Sequence, residues 1–161
     1  MTPPAIATAD TAPPPRSAQP QELMTFDAGG QTFALPIGAI RELRAWSVPT
    51  PLPLSDPSMM GVINLRGTIL PVLDLALRLG IAAPVPPDRP VVMIIQSGDR
   101  RAGLRLDRVR DILRLPDGAM EPPHGLSGTI DCLLALAVVE GQPLRVLDPS
   151  RLLPRAAAAV P

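Results

Sequence analysis

GVINLRGTILPVLDL, residues Gly61–Leu75, consists of two apolar runs that meet at an Arg66-Gly67 pair. The runs are rich in Val, Ile and Leu, which favour strands covered on at least one face. Glycine at the second position of the pair supplies the positive φ that a two-residue hairpin turn needs. The segment therefore predicts a β-hairpin that presents the Arg66 side chain at its tip, and it contains nothing that resembles catalytic machinery.

The composition favours a small aliphatic-core protein. The 161 residues suffice for one compact domain or two small ones. Hydrophobic residues make up 46% of the chain but aromatic residues only 2%, so the core must be built from aliphatic side chains. The formal net charge of zero argues against nucleic acid or an anionic membrane surface as the main partner. The single cysteine excludes an internal disulfide and is typical of a reducing compartment.

The ends of the chain differ in composition from its middle. Residues 1–21 are rich in Pro, Ala and Thr and predict a disordered leader, and residues 154–161 predict an Ala-rich tail. No signal peptide is visible, and the longest uninterrupted apolar run, Leu133–Val139, is far too short to span a bilayer. We therefore expect a cytoplasmic protein, without membrane insertion, whose folded part covers residues 22–153.

Short strands separated by Gly turns and Pro-rich connections fill this folded part, which predicts an all-β fold with short helices. The predicted strands are residues 23–26, 32–36, the two arms of the Gly61–Leu75 hairpin, 91–96, 102–106, 109–115, 130–139 and 144–147. A helical turn leading into a strand is predicted over 37–46, and short helices over 75–79 and 149–153. Residues 49–57 and 82–90 predict irregular Pro-rich connections, and 116–128 predict a polar loop.

The two halves of the sequence carry an internal repeat. Ala34 to Leu43 aligns with Gly103 to Ile112, and, after a short gap, Gly67 to Asp74 aligns with Gly141 to Asp148. The repeat predicts two similar β units in tandem, which lean on each other because units of about sixty residues bury too little surface alone. The predicted units cover about residues 22–90 and 91–153.

Differences between the two halves indicate where function lies, since features that both halves share are explained by the fold. Arg66 at the first hairpin tip corresponds to Glu140, and Glu42 corresponds to Asp111. The first half can therefore pair opposite charges, whereas the second places two acids at the equivalent positions. Glu42 and Arg66 become candidates for a recognition site, although the sequence alone does not put them in contact.

Several motifs occur together in one order and spacing. They are Phe33-Ala34-Leu35-Pro36-Ile37, Ile40-Arg41-Glu42-Leu43, Gly61-Val62-Ile63-Asn64-Leu65-Arg66-Gly67, Pro71-Val72-Leu73-Asp74-Leu75 and Gly103-Leu104-x-Leu106-Asp107-x-Val109. Over about residues 22–153 this pattern resembles the CheW family of coupling proteins, which link chemoreceptors to the histidine kinase CheA in bacterial signalling arrays. The resemblance implies two intertwined SH3-like β-barrel subdomains.

The resemblance also implies a function. It implies a non-catalytic adaptor whose partners are the cytoplasmic tip of methyl-accepting chemoreceptors and the regulatory domain of a CheA-type histidine kinase. That domain is itself similar to this protein, and the barrel ends are expected to bind it. The resemblance further implies a cytoplasmic protein that is recruited to membrane-associated chemoreceptor clusters.

The resemblance implies a receptor- and kinase-binding site. It implies that Arg66 pairs with Glu42 beside the receptor-binding surface. It implies that apolar side chains line a groove between the barrels in which a receptor hairpin tip docks, namely Ile40, Val109 and Ile112. The hairpin tip is expected to be shaped by Asn64, Leu65 and Gly67. Judged from the residues alone, the three groove residues could equally belong to the core.

Other classes of function have less support in the sequence. No convergent acid, base or nucleophile set, phosphate-binding loop or metal motif is legible, so we expect no catalytic, cofactor or metal site. His124 is interpreted as a loop residue, Cys132 as a small buried residue and Trp46 as packing, with a partner anchor as the alternative for Trp46. The alternative function is a stand-alone SH3-like β-barrel regulatory module that binds a peptide or small ligand between its halves. A Pro-rich ligand is disfavoured because the grooves that bind such ligands are lined by aromatic residues, and this chain has two Phe, one Trp and no Tyr.

Overall fold

The computed structural model describes residues 21–53, 56–81, 88–116, 118–122 and 132–154. The strands are β1 (Gln21–Ala28), β2 (Gln31–Pro36), β3 (Ile40–Ala45), β4 (Met59–Leu65), β5 (Thr68–Asp74), β6 (Val91–Ser97), β7 (Arg100–Leu106), β8 (Arg108–Leu115), β9 (Met120–Glu121), β10 (Leu133–Val139) and β11 (Gln142–Leu147). The helices are the 3₁₀ turn Ile37–Ala39, α1 (Leu75–Arg78) and α2 (Pro149–Leu152). The prediction of an all-β fold with short helices is confirmed. The predicted leader up to residue 20, the tail beyond Pro154, His124 and Ile130 lie outside the described residues.

The strands form two sheets. The first sheet has the order β8-β1-β2-β11-β10-β9 and the second sheet the order β3-β6-β7-β5-β4. We call β1–β5 with α1 the first unit, and β6–β11 with α2 the second unit. Neither sheet comes from one consecutive half of the chain, and the division into intertwined subdomains near residue 90 stays a prediction. β2 leads through the 3₁₀ turn into the second sheet, and β7 leads into the first, so each unit's first hairpin pairs with the other unit's remaining strands.

The registers of the strands carry the same repeat as the sequence. Phe26 of β1 lies opposite Val109 of β8, and Ile95 of β6 lies opposite Ile40 of β3. The alignment of the two halves, continued in the same register, relates Phe26 to Ile95 and Val109 to Ile40, so the two pairs are equivalent. The two parallel pairings, β2 with β11 and β5 with β7, are related in the same way. Positions in the two sheets can therefore be compared one by one.

Apolar side chains form a core on both faces of the sheets. The largest cluster is shared by the two sheets and includes the fully buried Phe26, Phe33, Met93 and Leu104. We call it the central core. Because side chains alternate between the two faces of a strand, each sheet also carries a separate cluster on its other face. This cluster contains Leu23 in the first sheet and Val92 in the second. Each fully buried aliphatic or aromatic side chain contributes about 1.5–3 kcal/mol relative to exposure.

The Val-Leu-Asp sequence that ends the last hairpin of each unit serves as a helix cap. The Asp74 carboxylate accepts a hydrogen bond from the Leu77 amide, and the Asp148 carboxylate accepts one from the Ser150 amide. Such caps satisfy backbone donors that a short helix leaves unpaired. Both α-helices span only four residues, and the described ranges contain no helix that is long and apolar enough to cross a membrane.

Two short features differ from the sequence-based expectations. The predicted polar loop contains β9, because Met120 pairs with Ala137 of β10 and packs against the cluster around Leu23. A two-residue strand has no periodicity that a sequence pattern can detect. In the first Pro-rich connection, Thr50 forms an isolated antiparallel bridge with Val62, with both backbone hydrogen bonds at 2.9 Å.

The bridge at Thr50 depends on Gly61. Gly61 has a φ of +145°, and a Cβ atom there would overlap the Thr50 carbonyl group. We expect Gly61→Ala to lower the free energy of unfolding by about 2–4 kcal/mol, because backbone rather than a flexible side chain must move. Urea denaturation measures this change. Gly38→Ala is the matched control, since no atom lies within 4 Å of its added Cβ, and equal midpoints for the two variants would contradict the prediction.

Candidate functional site

The hairpin of β4 and β5 closes in the two-residue turn predicted from the sequence. Leu65 lies opposite Thr68, and the turn residues Arg66 and Gly67 have φ values of 50° and 88°. The Asn64 side-chain oxygen accepts a hydrogen bond from the Gly67 amide at 2.8 Å, and the Leu65 side chain is buried. A left-handed conformation costs a non-glycine residue about 1–2 kcal/mol. The turn therefore holds Arg66 in a strained but defined position at the tip.

The structure brings together the two charged residues that the comparison of the halves selected. Arg66 Nη2 lies 2.9 Å from Glu42 Oε1, and Arg66 Nη1 lies 3.5 Å from Glu42 Oε2. A third member, Arg44, was not predicted from the sequence, and its Nη1 donates to Glu42 Oε2 at 3.2 Å. The spacing of two residues on a strand, which puts Glu42 and Arg44 on one face, was the signal that could have identified it.

This ion pair is exposed on the arginine side and held on the glutamate side. The Arg66 side chain is 69% exposed and that of Glu42 only 25%. Hydrogen bonds from Arg66, and next from Arg44, lower the pKa of Glu42 below its ordinary value of 4.5, and the same pair raises the pKa of Arg66. Exposed ion pairs add little to stability. The pair therefore fixes the direction of an exposed guanidinium group and adds little to the stability of the fold.

The second unit has the same turn without the ion pair. Glu140 and Gly141 have φ values of 52° and 78°, close to those of Arg66 and Gly67. Asp111, the counterpart of Glu42, is fixed through its backbone, whose amide and carbonyl groups bond the Thr25 hydroxyl at 3.0 and 3.1 Å. The hairpin turn is thus common to both units, whereas among the described residues a pairing of opposite charges at its tip occurs in the first unit alone.

The three predicted groove residues occupy two kinds of position. Ile40 and Val109 are counterparts in the repeat, lie on the edge strands β3 and β8, and pack partly buried against the central core. Ile112 is 58% exposed, although it points to the same side of β8 as Val109. Its counterpart Leu43 is 41% exposed. Ile40 and Val109 therefore contribute to packing, while the Ile112 side chain forms exposed apolar surface.

The other residues singled out from the sequence have structural surroundings. Trp46 packs against the cluster around Val92 and lies 5.7 Å from the Arg105 guanidinium, which binds the Asp74 carboxylate at 2.8 Å. This supports the packing interpretation of Trp46. Cys132 is buried. Within the described ranges, no three His, Cys, Asp or Glu side chains are grouped so that they could hold a metal ion.

Comparisons with known proteins agree with this geometry. A family model described as the CheW-like domain matches residues 22–157. The chemotaxis protein CheW of Rhizobium meliloti is 36% identical over 130 residues, which cover 80% of this chain and 84% of that protein. The probable chemotaxis protein CheW of Rhizobium etli is 38% identical over 119 residues, 74% of this chain and 77% of that protein. The crystal structure of the scaffolding protein TtCheW from Thermoanaerobacter tengcongensis has the same fold, with a TM-score of 0.75, 24% identity, and coverage of 80% of this chain and 89% of that one.

The lowered pKa of Glu42 gives a direct test of the ion pair. A carboxylate with a depressed pKa stabilises the fold above its unfolded value, near 4.5, and loses this contribution as the pH falls through the folded value. We expect the pKa of Glu42, followed by carbon-13 NMR, to rise toward 4.5 in Arg66→Gln and to rise less in Arg44→Gln. An unchanged titration in Arg66→Gln would show that the pair does not form in solution.

Proposed function

This chain belongs to the CheW-like family, and we propose that its Glu42–Arg66 pair and the adjoining edge strands form the surface that couples chemoreceptors to a CheA-type histidine kinase. Like its relatives, the chain is a non-catalytic coupling adaptor of chemotaxis. The proposal concerns which residues and which partners carry out this coupling.

One observation carries the assignment of the site. Both units build the same hairpin turn, but in the described part of the chain only the first places an arginine at its tip and a glutamate within hydrogen-bonding distance of it. The fold of the second unit forms with Glu140 and Asp111 at those positions, so folding does not require the pair. A charged, exposed and conformationally constrained side chain that folding does not require is best explained by recognition of a partner.

The apolar part of the proposed surface begins on β3, the strand that also carries Glu42. On β3, Ile40 points toward the central core, and on β8 Val109 does the same, so the two edge strands flank the seam between the sheets. Ile112, on the same side of β8 as Val109, has an exposed side chain. An apolar centre with a charged rim is the usual composition of a protein–protein interface. We propose that a chemoreceptor hairpin tip docks along this seam, with Arg66 at its rim.

The proposed mechanism is a shift of populations. An adaptor that has no chemistry of its own can change kinase activity only by binding one receptor–kinase arrangement more tightly than another. This requires a second surface for the kinase, and we propose that the ends of the sheets serve as that surface. Through the receptor the protein would be recruited from the cytoplasm to membrane-associated clusters.

The alternative function, a module that binds a peptide or small ligand between its halves, has less support. The space between the sheets is filled by side chains of the central core, among them the fully buried Phe26, Phe33 and Leu104. A ligand could enter there only by displacing this packing. The seam therefore offers an outer surface for docking rather than an internal cavity.

Reversing the charge at the hairpin tip tests the site. We expect Arg66→Glu to abolish capture of a chemoreceptor cytoplasmic fragment and the receptor-dependent change in kinase activity, because two carboxylates then face each other and the partner. The melting temperature should fall by no more than about 4 °C, since exposed pairs contribute about 0–1 kcal/mol. Adding Glu42→Arg should restore part of the capture. A large loss of thermal stability would instead make Arg66 a structural residue.

Replacing the exposed apolar residue tests the seam. We expect Ile112→Ser to weaken binding of the same receptor fragment about ten-fold, because it removes apolar surface that the partner would cover. Leu77→Ser is the matched control, since Leu77 is 51% exposed but lies on α1. Isothermal titration calorimetry gives both affinities. Equal affinities for the two variants would place the docking surface elsewhere.

A further inference from the structure

A cluster of two arginines surrounds a neutral side chain at the end of β6. Gln96 Oε1 accepts hydrogen bonds from Arg41 Nε at 3.0 Å and from Arg101 Nε at 3.1 Å. Both arginines are exposed. In the described part of the chain, these are the hydrogen bonds that their guanidinium groups make. Two cations thus converge on an amide oxygen that carries no compensating charge.

The other sheet holds an equivalent cluster that contains a carboxylate. The alignment that places Ala34 over Gly103 also relates Gln96 to Asp27 and Arg41 to Arg110. There the Asp27 carboxylate accepts hydrogen bonds from Arg110 Nε at 2.7 Å and from Arg108 Nε at 3.0 Å. Burial would raise the pKa of Asp27, but hydrogen bonds from Arg110, Thr32 and Arg108 lower it overall. The same framework therefore holds a carboxylate between arginines in one sheet and lacks it in the other.

The uncompensated arginines lie on the same face as the proposed recognition pair. Glu42 lies opposite Ile94 of β6, and Gln96 follows Ile94 by two residues, so both point to one side of the second sheet. Arg101 lies opposite Gln96 on β7 and shares that side. Two residues along a strand are roughly 7 Å apart. We call this surface, formed by Arg41, Arg44, Arg66 and Arg101 around Glu42 and Gln96, the basic face.

The charge of the basic face is not a property of the fold. We compare the residues of the two clusters and of the two hairpin tips, seven positions that the repeat relates one to one. In and beside the second sheet these positions carry four arginines and one glutamate, a net charge of +3. They are Ala39, Arg41, Glu42, Arg44, Arg66, Gln96 and Arg101. Their counterparts in and beside the first sheet carry two arginines and three acids, a net charge of −1. In the same order they are Arg108, Arg110, Asp111, Leu113, Glu140, Asp27 and Thr32.

We propose that the basic face binds an acidic segment of the chemoreceptor tip, whose carboxylates supply to Arg41 and Arg101 the negative charge that Asp27 supplies to its arginines in the other sheet. This inference rests on the proposed function of the Glu42–Arg66 pair, with which the basic face is continuous. Planar guanidinium groups match carboxylates in geometry as well as in charge. The formal net charge of the whole chain is zero, which favours a local acidic segment over a polyanion as the occupant.

The sharpest test supplies the missing carboxylate from within the protein. Gln96→Glu keeps the size of the side chain and should form ion pairs with Arg41 and Arg101, as Asp27 does with its arginines. We expect this variant to fold normally and to bind a chemoreceptor cytoplasmic fragment about five-fold more weakly at low ionic strength. The difference should shrink at about 1 M salt, where charges are screened within about 3 Å. The double variant Arg41→Gln/Arg101→Gln should weaken binding in the same direction.

The control is the reciprocal change in the other sheet. Asp27→Asn removes a carboxylate from the equivalent cluster and should leave affinity for the receptor fragment within about two-fold. Wild-type affinity in both Gln96→Glu and the double variant would overturn the inference; if Arg66→Glu still abolished capture, the proposed function would stand. Normal capture by Arg66→Glu would instead count against the proposed function itself. Tighter binding of anionic phospholipid vesicles than of the receptor fragment would also overturn the inference.

Discussion

The exchange of the first hairpins between the two sheets is the constraint on which the rest of the structure depends. The β1–β2 hairpin is apolar on both faces, with Phe26 and Phe33 in the central core and Leu23 and Ala34 in the cluster on the opposite face. A hairpin of this kind cannot lie at a surface without exposing one of the two faces. It is buried only because strands of the other unit cover it, so neither unit can bury its own apolar surface alone. The seam between the sheets is therefore a fixed part of the fold.

A fold made of two copies of one unit can keep its packing and vary its charges. The helix caps Asp74 and Asp148 and the left-handed turn residues Arg66 and Glu140 occur in both copies, because the backbone needs them in both. The side chains at the two hairpin tips nevertheless differ in the sign of their charge, since Arg66 is positive and Glu140 is negative. Packing is thus common to the two copies, whereas the charge at the hairpin tip distinguishes their two equivalent surfaces.

The sequence predicted local structure well and non-local pairing poorly. The Gly61–Leu75 hairpin, its turn and the repeat followed from patterns within short segments, and these patterns depend on backbone geometry alone. The exchange of hairpins did not follow from the residue pattern, because apolar periodicity identifies a strand but not its neighbour; only the family resemblance implied intertwined subdomains. For the same reason Arg41 and Gln96, which are distant in the sequence, were not linked. Ile112 could not be separated from Val109, since a strand pattern does not show where the covering sheet ends.

Protection of an edge strand is a second explanation for the arginines on β3, and comparison with the other unit shows which arginines it explains. Charged side chains on an edge strand prevent it from pairing with other chains. β8 is the equivalent edge and carries Arg110 at the position of Arg41, so protection of the edge accounts for an arginine that both units share. It does not account for Arg44, Arg66 and Arg101. Their counterparts are a leucine, a glutamate and a threonine, and the first sheet forms with those residues in place. Because neither folding nor edge protection requires these three cations, recognition of an acidic partner is the explanation that accounts for all of them.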